Sequence, residues 1–387
     1  LAALAMLALF LTKITGFLAG GLIGLHAILA GRFSWRHVLL AAAIFLLVLA
    51  GLELNHAMIS AYLTSIATLV GMNEGLLLSR FLTVFSIKLD VIIAAASLAI
   101  FLLWLDWRGL FRPSARQASS PFDRNWLWIG VALMAGTFLE TQNTGSQEFI
   151  FIWPPILAML ATTSGLRENH RLVVYCLVAF AVVPTATKVV HATLRFIAVA
   201  PTYRAAPVTE LKSMGQVSTR RDVLNRVAIL ESHYARNAEG YRELAQENQL
   251  PSWRLYAELD YQMYWLVSAD HAVKAIKRFE TANGIHLDSL MTLDFVNPFP
   301  WILDRDATRN LQIGADPFRT VADLTPEEEA SIRATDGVLR PSCPTTSPRL
   351  RLQQIYAKAL TGRTIVKLND CWDLLLKPGI EGAGQTR

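Results

Sequence analysis

The sequence predicts an α-helical transmembrane bundle of about six spans, residues 1–199, followed by a mixed α/β extracytoplasmic domain, residues 200–387. Three observations predict it. Six apolar stretches that cross or nearly cross a bilayer fall before residue 200, and none falls after it. Basic side chains gather in alternate connections between those stretches. Beyond residue 200 the long apolar runs give way to short helix and strand patterns rich in charge.

The spans are expected at 5–30, 38–54, 83–105, 126–141, 148–163 and 172–198. A hydrocarbon core about 30 Å thick takes roughly 20 apolar residues as a helix. In lipid only a helix satisfies its backbone polar groups segment by segment. The fourth and fifth stretches are short and would need tilt or local thinning. Gly16, Gly20 and Gly24 recur at intervals of four, so one stripe of the first span can approach a neighbour closely.

Charge sets the expected orientation. Arg32, Arg36 and His37 lie between the first two spans. Arg108, Arg112, Arg116 and Arg124 lie between the third and fourth, and Arg167, His170 and Arg171 between the fifth and sixth. The connections 55–82 and 142–147 carry only Arg80 and His56. Lys and Arg stay on the cytoplasmic side, so the second domain is expected outside, on a bacterial-type inner membrane. The net charge of +5 then reflects basic cytoplasmic loops, and nucleic acid is not an expected partner. The chain opens at Leu1 within an apolar run, without Met or a charged leader region, and is expected to lack upstream residues.

In the second domain, 218–247 reads as a helix with Val223, Val227, Leu230 and Tyr234 on one face. A second helix is expected over 270–283, with Asp270 as N-cap and Gly284 as the left-handed stop. Ser289–Val296 and Asp336–Leu339 read as strands, Leu350–Leu360 as a helix. Thr364–Leu368 and Cys371–Leu376 flank Asn369-Asp370 as a hairpin. Cys343 and Cys371 are a disulfide candidate if that side is oxidising, and two buried thiols otherwise.

Several residues are candidates for chemistry. Lys13 interrupts the first span and is either a lipid-phosphate ligand or a lysine reaching the outer interface. Lys88, Lys188, His191 and Arg195 could join it in a cationic ring for a phosphate headgroup, or anchor their helices singly. Glu140, Gln142, Asn143 and Glu148 form a polar outer turn that could hold a sugar, serve acid–base work or bind a divalent cation. The segment from Asp294 through Asn297 to Trp301 joins a carboxylate and an amide to aromatic residues, which suits a sugar or tight packing at a strand exit. No metal-ligand spacing, phosphate loop or nucleophile elbow is present, and no cofactor is identified.

Thr12-Lys13 before a Gly-rich helix and a basic turn resembles the middle helices of polytopic GT-C-type glycosyltransferases, which include relatives of protein mannosyltransferases and lipid A aminoarabinose transferases. Thr141-Gln142-Asn143 and Asp294 through Pro300 are similar to uncharacterised bacterial membrane proteins often placed near that class. The resemblance implies transfer of a sugar from a polyprenyl-phosphate donor at the outer membrane face. The acidic residue such enzymes use lies in a first outer loop, which here would precede Leu1, so the catalytic residue is unknown. The alternative expectation is a non-catalytic membrane scaffold whose outer domain binds a partner or an envelope glycan. A transporter is disfavoured, because neither an inverted repeat nor a pair of broken helices is visible in the sequence.

Overall fold

The computed structural model describes the chain except for residues 74–76, 110–119, 142–151, 162, 252–254, 256–257, 313 and 381–387. It divides into two compact units, Leu1–Phe196 and Ile197–Arg387. The first is helical; the second holds a small mixed sheet.

The first expected span is not one helix. α1 (Ala2–Thr12) and α2 (Ile14–Leu29) are separated by Lys13, whose backbone is extended at φ −160° and ψ 105°. Two of the three stripe glycines, Gly16 and Gly20, meet a neighbour, and that neighbour is α1 itself, while nothing lies within 4 Å of a Cβ on Gly24. A Cβ on Gly20 would lie 3.0 Å from Leu9 and one on Gly16 would lie 3.2 Å from the same side chain. Small residues let the two half-helices close on each other, and the break follows. The freed carbonyl of Phe10 accepts the Tyr62 hydroxyl at 2.7 Å, which meets one of the acceptors a helix end leaves open.

α3 (Trp35–His56) occupies the second expected span. The expected outer connection 55–82 is instead largely helical: α4 (Met58–Asn73) and α5 (Leu77–Ile87) fill it. The Ser and Thr residues that make 58–73 look loop-like bond back within the helix, as Thr64 and Thr68 do to the carbonyls four residues earlier. α6 (Leu89–Trp107) starts after a second break at Lys88, and α7 (Asn125–Thr141) buries Ile129, Ala132 and Ala135. Within the fifth expected span the described helix is only α8 (Trp153–Leu160). α9 (Glu168–Val199) runs on to the unit boundary and carries Pro184 internally. Among the described residues, three helices are long and apolar enough to cross a membrane: Trp35–Asn55, Leu89–Trp107 and Glu168–Thr202.

The basic connections meet at one end of this unit. Arg32 pairs with the buried Asp123 at 2.8 Å, and Ser120 Oγ donates to Leu29 O at 2.7 Å. Arg124 pairs with Asp106 at 3.2 Å, and the His170 ring lies 5.9 Å from Trp104 near the end of α6.

The second unit opens with β1 (Tyr203–Ala205) and β2 (Ser218–Arg220), an antiparallel pair. α10 (Arg221–Arg236) and α11 (Ala238–Gln246) follow, where the sequence suggested a single helix. α12 (Leu259–Asn283) begins eleven residues before its expected start. Asp270 is therefore not an N-cap. It sits inside α12, 1% exposed, and accepts the N–H groups of Thr209 and Glu210 at 2.8 and 2.7 Å. Gly284 does end the helix, at φ +64°, with its N–H on Glu280 O.

The main sheet comprises β3 (Ser289–Thr292), β4 (Asp306–Ala307), β5 (Gly337–Pro341), β6 (Thr364–Asn369) and β7 (Trp372–Leu376). Their order is β4-β3-β5-β7-β6, with β3 parallel to both β4 and β5 and the last two pairs antiparallel. Its central strands are apolar on both faces, because helices cover both. Leu290, Leu339, Leu374 and Leu376 face a core built on α12 and α13 (Phe299–Leu303). Met291, Val338 and Leu375 face the other way, onto α14 (Pro326–Ala334) and α15 (Ser347–Leu360). Thr325 and Glu328 close a capping box at the start of α14, and Thr346 caps α15. β3 stops four residues short of its expected end, since the chain leaves the sheet at Asp294.

Candidate functional site

Where parallel strands end, the chain leaves the sheet in loops that open a crevice at the carboxyl edge. The exits of β3 and β4 do so here, and enclose about 540 Å³, within the range of small-molecule sites. Met291, Thr292 and residues 294–298 supply one wall. Ala307, Thr308, Leu311, Gln312 and Ala315 supply another, with Trp265 of α12 and Tyr356 of α15 contributing aromatic rings.

Asp294 is the acidic residue of the crevice and is 3% exposed. Its Oδ2 accepts the Trp265 indole N–H at 3.2 Å and pairs with Arg349 Nη2 at 2.5 Å. Its Oδ1 accepts Phe295 N–H at 2.8 Å. Arg349, 2% exposed, also donates from Nη1 to Pro344 O at 2.8 Å. A carboxylate so heavily used by the fold orients the β3 exit. Burial pushes the Tyr356 phenol up to about 12, so that ring is neutral across the physiological range. Among the described residues, no Lys, Arg or His lines the crevice.

Asn297 lines the same wall. Its Nδ2 donates to Leu290 O at 3.3 Å, while its Oδ1 is buried and accepts no hydrogen bond. The loop is held from outside by Ala315 N–H, which donates to Phe295 O at 2.8 Å. The crevice can therefore enclose an uncharged, partly apolar molecule and offer it hydroxyl, amide and aromatic contacts.

Of the residues the sequence singled out, the fold brings Asp294 and Asn297 together here. Cys343 and Cys371 are joined as a disulfide, with Cα atoms 4.9 Å apart. The bridge fixes the loop that presents Pro344 O to Arg349, and the Tyr264 hydroxyl donates to Cys343 O at 2.7 Å. Lys13 and Lys88 each occupy a helix break, and Lys88 is buried. Lys188, His191 and Arg195 lie on an exposed stretch of α9. The five cations thus belong to three different parts of the helical unit: the break before α2, the break before α6, and α9. Glu140 is buried in the last turn of α7. Gln142, Asn143 and Glu148 lie outside the described residues. Among the described residues, no three His, Cys, Asp or Glu side chains gather as a metal site.

Sequence reasoning missed Trp265, Arg349, Thr308 and Gln312. Arg349 follows Thr346-Ser347-Pro348, a helix start, where a basic side chain reads as surface. Only the pairing of α15 with the β3 exit reveals it as buried. No family model, curated protein or solved structure matches the chain. What stands is its own architecture: a mostly helical protein with three membrane-length apolar helices among the described residues and a small mixed sheet that carries a crevice.

Proposed function

We propose that this is a multi-pass inner-membrane protein whose second unit is extracytoplasmic and binds an envelope glycan, or a partner bearing one, without transforming it. The crevice at the β3 and β4 exits carries this reading: among the described residues it is lined by aromatic, amide and hydroxyl groups and no cation, and its carboxylate is held by Trp265, Phe295 N–H and Arg349. The orientation is supported by the convergence of the basic connections at one end of the helical unit, since Lys and Arg remain cytoplasmic. α9 starts from that end, so one crossing carries the chain outward. The disulfide supports the same side, because such bridges persist in oxidising compartments.

The test uses the full chain in lipid nanodiscs and fragments of peptidoglycan and lipopolysaccharide core, with binding read by saturation-transfer NMR. Ala307 is exposed and lines the crevice, so Ala307→Phe fills the space at little cost to the fold. Binding by the parent and its loss in Ala307→Phe is the expected result. Equal binding by both would place the glycan elsewhere and sink the reading.

A second reading, transfer of a sugar from a polyprenyl-phosphate donor, is favoured by the lysines at the two helix breaks. Each stands where a helix begins and the dipole favours an anion. Charge-assisted contacts support roughly ten- to a hundredfold in affinity. Lys13→Met should weaken polyprenyl-phosphate binding by that factor if the reading holds. Unchanged affinity leaves Lys13 as an anchor.

A further inference from the structure

Beyond α9, the exposed aromatic side chains among the described residues all stand in one short stretch: Phe295 is 46% exposed, Trp301 49% and Phe318 46%. The exposed large aliphatic residues there scatter singly over α10, α11, α12 and β6, as Ile229, Leu244, Leu259 and Ile365, which is ordinary for a protein surface. The three aromatics border the crevice. The Phe295 ring lies against Gly314, where an added Cβ would be 3.4 Å away, and its N–H and carbonyl are held by Asp294 Oδ1 and Ala315 N–H. The same loop leads to Phe318, whose N–H donates to Asp316 Oδ1 at 3.0 Å. Lys212 meets Trp301, donating from Nζ to its carbonyl at 2.7 Å and standing 5.5 Å from the ring centre. Lys212 belongs to the turn that puts Met214 on the crevice wall with Phe295. It also pairs with the exposed Asp304 at 2.6 Å, so that carboxylate turns no unmet charge toward an anionic surface.

Chain length identifies what meets this rim. Measured from Leu172, the first apolar residue after Arg171, α9 runs about 42 Å to Val199, which matches a bilayer together with its headgroup layers. The chain then enters β1 after only Ala200–Thr202, about 6 Å of 3₁₀ turn. The second unit is therefore tethered at a headgroup layer, and a lipid surface is available to it at any protein concentration. Trp and Phe suit that layer, because their rings bury apolar area beside a wet, polar edge. We propose that the crevice rim, through Phe295, Trp301 and Phe318, docks onto the lipid headgroup layer where α9 leaves the membrane. The inference rests on α9 crossing the bilayer and is independent of which ligand the crevice takes.

The experiment uses the full chain in phosphatidylethanolamine–phosphatidylglycerol vesicles. Single nitroxide labels are placed by Phe295→Cys, Trp301→Cys and Phe318→Cys, one at a time so that two aromatics always remain. Ile229→Cys and Ile365→Cys serve as controls on the second unit, and Leu46→Cys on α3. The background is Cys176→Ser, with the Cys343–Cys371 bridge left closed. Every labelled side chain is exposed, so the fold is not put at risk. Collision with oxygen, which enriches in lipid, is compared with collision with a nickel chelate, which stays in water. Oxygen should dominate at the three rim sites and at position 46, and nickel at 229 and 365. Adding Phe295→Ser and Trp301→Ser should shift the label at 318 toward nickel, as the rim lifts from the surface. Nickel access at two or more rim sites, with oxygen still dominant at 46, overturns the docking and leaves the membrane span intact. Nickel at 46 overturns the span as well. Shielding of the rim from both reagents means that a protein or a second copy covers it, and overturns the lipid as partner. Oxygen at 229 and 365 too, or a label at 318 that the serine pair leaves unmoved, overturns the aromatic rim as the contact.

Discussion

Arg349 and Asp294 form the ion pair whose side chains are least exposed, at 3% and 2%. Removing one partner of such a pair strands a buried charge and costs about 3–5 kcal/mol. Arg349→Met keeps the stem and should lower the thermal unfolding midpoint of the second unit markedly, as followed by proteolysis of the full chain. Adding Asp294→Asn should recover part of that loss, because the stranded charge is then gone; an additive loss in the double variant would mean the pair is not coupled. His271 gives a pH handle on the same unit. Its hydrogen bond to Glu231 at 2.9 Å raises the imidazole pKa above its ordinary value. A raised folded pKa means the stabilisation is fully present below about pH 6.5 and fades as pH climbs through the folded value. Comparing the parent with His271→Gln, the gap in unfolding midpoint should be wider at acidic than at alkaline pH. A constant gap would remove the charge from the explanation.

At the scale of elements, the second unit depends on how β5, β7 and the loop beyond β5 are fastened. Gly337 in β5 has no room for a side chain: a Cβ would lie 2.9 Å from Leu290 and 3.0 Å from Leu374. The Cys343–Cys371 bridge ties the exit of β5 to the entry of β7 across a separation of 28 residues. Loop entropy for that length is worth about 3.6 kcal/mol. Cys343→Ala with Cys371→Ala should therefore leave the second unit folded but more readily digested by protease. It should also weaken ligand binding at the crevice more than Gly337→Ala does, because the loop from 342 to 346 presents Pro344 O to Arg349. Equal effects on binding would separate the bridge from the crevice.

For the whole molecule, the prediction concerns sidedness. Single cysteines at Ser34 and Gly379, in a background lacking Cys176, can be probed with a membrane-impermeant maleimide on intact spheroplasts. Ser34 lies among the basic residues between α2 and α3, and Gly379 follows β7 at φ +89°. Labelling at 379 and protection at 34 until the membrane is opened is the expected pattern. The reverse would overturn the extracytoplasmic placement of the second unit and, with it, access of that unit to envelope glycans.

The residues themselves were enough to separate an apolar helical half from a polar α/β half, because apolar periodicity and charge distribution are local properties that survive in any fold. They were also enough for the Gly284 stop and the terminal hairpin, each marked by short-range chemistry. They were not enough for the breaks at Lys13 and Lys88 or for α4 and α5. A helix in lipid ends where its neighbours can pack, and the Leu9 contact with Gly16 and Gly20 is invisible until the chain folds back. Asp270 looked like a cap because its partners, Thr209 and Glu210, stand sixty residues away in sequence. The crevice is likewise tertiary: its β3 wall is tied to α12 through Trp265 and, behind the lining, to α15 through the pairing of Asp294 with Arg349. No window of sequence contains those three residues, since what selects them is the cost of leaving a buried charge unpaired.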